Sequence, residues 1–203
     1  AAVTSTGSLV FLLVGFFSGI AVGAGVVIAR YYGAKDKEKL DTAIHTTVAF
    51  GLIAGLLLTV VGVLTTPLLL RLMQTEKSYF AYSVQYFRFY FFGAVAIVMY
   101  NLGMGVLRAV GDSKSPLYYL IFSSVLNVAL DYLLVGVLDR GVWAAALATS
   151  ISQFVSALLC ILRLMRGGDG YRLRLRSIRM EKAMLREIIR YGLPSGVQNS
   201  IIA

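Results

Sequence analysis

The chain has 203 residues, of which 58% are hydrophobic and only 14% charged, where a soluble domain carries about 25% charged residues. That composition excludes a soluble globular protein, since lipid must cover the apolar surface that a core of this size cannot hide. The net charge is +9 and there is one cysteine, Cys160, which excludes a disulfide framework and any cysteine-based metal site.

Residues 1–29 carry no charge, enough for one spanning helix of about 20 residues. Gly15, Gly19 and Gly23 recur every four residues and give a smooth face for a neighbouring helix. Arg30, Tyr31, Tyr32 and Gly33 then form an interfacial anchor and a helix stop before the charged loop AKDKEKLD. No basic region precedes the first apolar run, so it does not read as a signal peptide. Both termini cut apolar segments, and the chain reads as an internal piece of a longer protein.

The second span covers residues 43–70 and is interrupted only by His45, which reads as an interfacial residue rather than a proton relay. Gly51 and Gly55 allow close packing, and Pro67 sits where a helix stops or kinks cheaply. The connector RLMQTEKSYFAYSVQYFR is expected to hold a short interfacial helix. The third span, residues 86–107, opens on Tyr86, Phe87, Phe89, Tyr90, Phe91 and Phe92. Such a cluster marks the headgroup level, with a lining for aromatic or cationic substrates as the alternative. Gly111 and Asp112 make the next turn, Ser115 is placed to N-cap the following helix, and Pro116 takes its first position.

The fourth span, residues 116–138, is apolar but for Asn127 and Asp131, four residues apart and so stacked on one helix face. A carboxylate in that setting costs roughly 2.5–3.5 kcal/mol and needs a partner or a task. The fifth span, residues 142–162, carries the small-residue run AAALATS, which includes Thr149. The fold class is therefore an all-α polytopic membrane protein. Its units are a bundle over residues 1–163, a basic loop over 164–187 with an amphipathic helix in EKAMLREIIR, and the start of another span over 188–203. A basic helix between spans lies most simply on anionic membrane lipid. No nucleic-acid-binding fold fits so short a loop.

Connectors one, three and five share one side. They hold Arg30, Lys35, Lys37 and Lys39, then Arg108 and Lys114, then the run of arginines and lysine from Arg163 to Arg190. The other side holds only Arg71, Lys77, Arg88 and Arg140, so the first side is cytoplasmic. With that topology Asp131 and Thr149 both lie roughly 10–12 Å below the outer edge, and Asn127 one turn deeper. Three oxygen-bearing side chains at similar depth on consecutive helices can converge. Asn, Asp and Thr oxygens suit a small hard cation such as Na⁺. Desolvation could instead make Asp131 a proton carrier. The remaining alternative is structural: Arg140 or Arg88 neutralises Asp131, or it hydrogen-bonds a neighbouring helix.

The pattern G-x-L-R-x-x-G-D-x-x-x-P from Gly105 to Pro116, SSVLNVALDYLLV, GVWAAALATSISQ, ARYYGAKDKEKL and RYGLPSG occur in this order. Together they resemble the multidrug and toxic compound extrusion (MATE) transporters over essentially the whole chain. The resemblance implies most of one six-helix bundle of a twelve-helix, two-lobe transporter, covering about helix two to the start of helix seven. The 164–187 loop would then link the lobes. It implies a multi-pass protein of the cytoplasmic membrane that exports lipophilic, often cationic small molecules against Na⁺ or H⁺, monomeric as the full-length chain and without a cofactor. The family's N-lobe cation site falls on Asn127, Asp131 and Thr149, with Tyr86 matched to a helix-four tyrosine nearby. A further Asp of that site belongs to helix one, which this chain lacks.

Two other readings belong beside the antiporter. A flippase for lipid-linked precursors from the same wider superfamily would want a more cationic cavity than these spans offer. A non-transporting structural subunit would need a salt-bridge partner for Asp131. An enzyme is disfavoured, since one His, one Cys and one buried Asp do not make a site of acids, bases or metal ligands.

Overall fold

The computed structural model describes residues 2–72 and 77–202. Ala1, residues 73–76 and Ala203, which the sequence assigns to the first span, the second connector and the last segment, lie outside the described residues. Among the described residues there are helices and no strands. They are α1 (Ala2–Gly33), α2 (Lys37–Leu72), α3 (Lys77–Phe92), α4 (Ala94–Ala109), α5 (Lys114–Asp131), α6 (Val142–Arg166) and α7 (Lys182–Ile202). A π-helical segment, Tyr132–Val137, continues α5, and a 3₁₀ turn, Leu175–Ser177, lies in the linker between α6 and α7. Among the described residues, five stretches are long and apolar enough to cross a membrane: Gly15–Gly33, Lys37–Arg71, Phe80–Ala109, Lys114–Val137 and Trp143–Arg166. The chain is an all-α, multi-pass membrane protein.

Each break in helical regularity has a local cause. Pro67 does not end α2, which runs on to Leu72. The proline costs one backbone hydrogen bond, and Thr65 and Thr66 donate their hydroxyls to the carbonyls of Val61 and Gly62 in the turn before it. The third span is two helices joined at Gly93. There the Gly93 N–H donates to Tyr90 O at 3.0 Å, a three-residue step that leaves Phe89 O free. Ser150 of α6 donates its hydroxyl to that oxygen at 2.8 Å. A Cβ on Gly93 would lie 2.7 Å from Ser150 Oγ, so the break and the approach of α6 depend on the same glycine.

Ser115 does not cap α5. The helix begins at Lys114, two residues before Pro116, with Ser113 at the N-cap position making no side-chain cap bond; the side chain that serves the first turn is Asp112. Its carboxylate accepts the Ser115 N–H at 3.0 Å and the Ser115 hydroxyl at 2.8 Å. The amphipathic segment expected on the lipid surface is not a separate helix either. Residues 182–202 form one helix, with Pro194 inside it. Met184 and Ile188 are buried, because this face packs on α1 rather than on lipid.

The α1–α7 contact is the most extensive between helices here, and glycine makes it. A Cβ on Gly19 would lie 2.1 Å from Gly196 Cα, and one on Gly23 would lie 2.2 Å from the Gly192 nitrogen. Gly51 and Gly55 of α2 likewise meet α4, against Leu102 and Val95. The buried core runs through α1, α2, α4, α6 and α7, with Ile20, Val27, Ile44, Leu102, Leu107, Leu164 and Ile188 at its centre.

Candidate functional site

Asn127 and Thr149 meet. The Asn127 amide Nδ2 donates to Thr149 Oγ1 at 3.4 Å, across from α5 to α6. Thr149 in turn donates its hydroxyl to Ala145 O at 3.1 Å, which holds the side chain in one rotamer and turns an Oγ1 lone pair toward Asn127. Both residues are half-buried.

Asp131 is the last residue of α5, one turn beyond Asn127. Its Oδ1 is buried and has no hydrogen-bond partner, a state shared among the described residues only by Thr59 Oγ1 on α2. No ion pair among the described residues involves Asp131, and Arg88 and Arg140 are both exposed. The alternative in which either arginine neutralises Asp131 is therefore not realised. An unpartnered buried acceptor costs roughly 1–3 kcal/mol, more when charged. This oxygen is unsatisfied until something positive or protic reaches it.

The backbone changes character immediately after Asp131. Residues 132–137 are π-helical, and the Leu138 N–H donates to Leu133 O, five residues back, at 3.0 Å. Single π turns inside α-helices are frequent at functional sites. No spacing in the sequence marks this one.

Tyr86 is not brought to this group by any hydrogen bond among the described residues. Its ring stacks on Tyr90 at 6.5 Å and meets Phe87 edge-on at 5.4 Å. The part of the aromatic cluster that does reach α6 is Phe89, whose ring lies 5.4 Å from Trp143. Ser150, next to Thr149 and bonded to Phe89 O, is a link that sequence reasoning missed; its only sequence signal is a hydroxyl among small residues. Among the described residues no three His, Cys, Asp or Glu side chains are grouped so that they could hold a metal ion.

At the opposite end the first, third and fifth connectors are tied together. Arg163 of α6 donates through Nε to Asp112 Oδ2 at 2.9 Å and through Nη1 to Gly167 O at 3.0 Å. Partial burial works to raise the Asp112 pKa. The Ser115 N–H and hydroxyl and the Arg163 guanidinium outweigh it and hold the carboxyl below the usual carboxylate range. Arg30 at the end of α1 pairs with Glu187 of α7, which also accepts the Tyr31 hydroxyl at 2.9 Å. A cleft of about 380 Å³ opens beside this pair, lined by Asp36, Lys39, Thr42, Glu181 and Glu187. It belongs to the linker end and is separate from Asp131.

Comparison with known proteins gives a consistent result. A family model described as MatE matches residues 1–133. The chain is 33% identical over its full length to the probable multidrug resistance protein YoeA of Bacillus subtilis (strain 168), and it covers 45% of that protein. It superposes with a TM-score of 0.87 on the inward-facing conformation of a multidrug resistance MATE family transporter of the MOP superfamily, at 30% identity, covering 96% of this chain and 45% of that one. An outward-facing conformation of such a transporter gives a TM-score of 0.87, at 30% identity, covering 98% of this chain and 44% of that one. The chain thus spans about half the length of the relatives it matches.

Proposed function

Because this chain belongs to the MatE family, we propose that it forms most of the N-terminal lobe of a cation-coupled antiporter exporting lipophilic, often cationic small molecules across the cytoplasmic membrane. In this reading residues 1–163 are the lobe's bundle, residues 164–187 the cytoplasmic link and residues 188–203 the start of the second lobe. The observation that carries the coupling step is the buried, unpartnered Oδ1 of Asp131 beside the Asn127–Thr149 pair.

The chemistry follows from that oxygen. A buried carboxylate oxygen without a hydrogen-bond partner gains a partner when a proton or a small cation reaches it. Asn127 and Thr149 add neutral oxygens, of the hardness that Na⁺ takes as ligands. An ion drives transport only if it binds one conformation better than the other. A carboxylate at the junction of α5 with a π turn can supply that difference, since repacking there changes which oxygens reach the ion. The bundle's equal likeness to an inward-facing and an outward-facing relative supports a lobe that moves largely as one body.

The test is Asp131→Asn in the full-length protein. Dye efflux from cells should be lost while membrane insertion and expression stay at the wild-type level. Retained efflux would remove Asp131 from the coupling step.

A further inference from the structure

His45 is not a loosely placed interfacial residue. It is 1% exposed, beneath the linker between α6 and α7. The Arg174 N–H donates to His45 Nε2 at 3.1 Å, and the Glu181 N–H donates to Thr46 Oγ1 at 3.3 Å. Two successive residues of α2 thus hold the linker backbone at two points. The segment just before is fixed as well: Leu173 is buried, and its N–H donates to Leu164 O at 2.9 Å.

The hydrogen bonds determine the tautomer. Since Nε2 accepts, the ring proton sits on Nδ1, where it donates to Asp41 O at 2.8 Å, with Asp41 Oδ1 3.4 Å away. The bond to Arg174 exists only while the imidazole is neutral. A second proton can enter only at Nε2, and it turns the acceptor into a donor facing another N–H.

We propose that His45 is a pH-sensitive latch on the linker, closed when the ring is neutral and released at Arg174 when it is protonated. Asp41 of α2 is the one charged side chain within ion-pair distance of the ring among the described residues. The linker brings Arg172, Arg174 and Arg176 to this end with exposed side chains. Among the helices packed on α2, α1 contributes Arg30, which is paired with Glu187 of α7, and α4 contributes Arg108, which is exposed. Arg88 of α3 belongs to the far end. Arg163 of α6 is held by Asp112. Release frees the stretch between Leu173 and Glu181, which carries the 3₁₀ turn, while Thr46 still holds Glu181. The linker then loosens on acidification of its own side of the membrane, a response separate from any titration at Asp131.

The test is hydrogen–deuterium exchange on the full-length transporter in lipid nanodiscs, at about pH 8 and about pH 5.5, with peptides separating Arg174 from Glu181 and rates corrected for intrinsic exchange. The Arg174 amide should lose protection about tenfold at the acid pH, the worth of one backbone hydrogen bond, with a much smaller change at Glu181. His45→Gln, whose carbonyl accepts without titrating, should show no such acid loss. Equal corrected protection of Arg174 at both pH values in the wild type overturns the latch, as does the same acid loss in His45→Gln. Should His45→Gln fail to insert, Thr46→Val serves: it should unprotect Glu181 at both pH values and leave the acid response at Arg174 intact. Loss of that response would show that the two ties open as one and would overturn the assignment to His45.

Discussion

Gly23 of α1 and Gly192 of α7 approach so closely that a Cβ on Gly23 would lie 2.2 Å from the Gly192 nitrogen. The obstacle is backbone, which cannot rotate away as a side chain does. Gly23→Ala should therefore push the two helices apart and destabilise the protein by about 1–3 kcal/mol, the usual range for overpacking. Gly25→Ala is the control, because its Cβ would meet only Gly105 O, at an ordinary 3.5 Å. Thermal unfolding of the two purified variants should separate them clearly. Equal melting temperatures would show that α1 and α7 do not pack in this register.

Asp112 makes stability depend on pH with a definite sign. Its folded pKa lies below the ordinary carboxylate value, so its ionised form stabilises the fold above that value. The contribution disappears as pH falls through the folded pKa. Asp112→Asn should cost about 1–3 kcal/mol at neutral pH through the lost charged hydrogen bonds to Arg163 and Ser115. The gap between variant and wild type should start to narrow below about pH 4, the ordinary carboxylate value, and close only once pH has fallen through the lower folded pKa. A gap that stays constant down to pH 3 would mean the Asp112 charge is not what matters.

The spans were legible because membrane helices report themselves through long apolar runs, and the glycine spacing of α1 named the face that α7 occupies. Asp131 stood out for the same reason, as a charge in hydrocarbon. What the sequence did not reveal depends on contacts between distant residues. The break at Gly93 needs Ser150, 57 positions later in the numbering, to take up the carbonyl it frees. Ser115 looked like the cap because serine before proline usually is one, but Asp112 reaches two donors at once. The amphipathic stretch 181–190 reads as a lipid-surface helix until α1 is seen to cover Met184 and Ile188. Tyr86 has no spacing signal linking it to α5, and its ring meets Phe87 and Tyr90 on its own helix.

Gly111 turns the chain from α4 to α5 with φ +89°, and a Cβ there would meet nothing within 4 Å. Gly111→Ala therefore isolates backbone strain from packing, with an expected loss of about 1–2 kcal/mol. Lys35 is the converse, a residue with a side chain held at φ +57°. Lys35→Gly should relieve strain, and chemical denaturation should show it equal to or slightly more stable than the wild type. A loss at both positions would mean the Lys35 turn is set by its side chain.

Thr149 separates a hydroxyl's chemistry from its shape. Thr149→Val keeps the β-branched volume on α6 and removes the oxygen that accepts from Asn127, whereas Thr149→Ser keeps the oxygen and removes a methyl group. If Asn127, Asp131 and Thr149 serve the coupling ion, the valine variant should need about tenfold more Na⁺ or H⁺ for half-maximal efflux, one hydrogen bond's worth of affinity. The serine variant should stay near the wild type. Packing predicts the reverse order, because valine preserves the contact and serine opens a small void. Efflux by full-length protein in proteoliposomes, measured against Na⁺ and against pH, therefore gives different rankings for the two accounts. It also identifies the ion, since only the gradient that is coupled will show the shift. A half-maximal concentration unchanged in both variants would leave the Asn127–Thr149 contact as a structural tie between α5 and α6 and place ion binding on Asp131 without them.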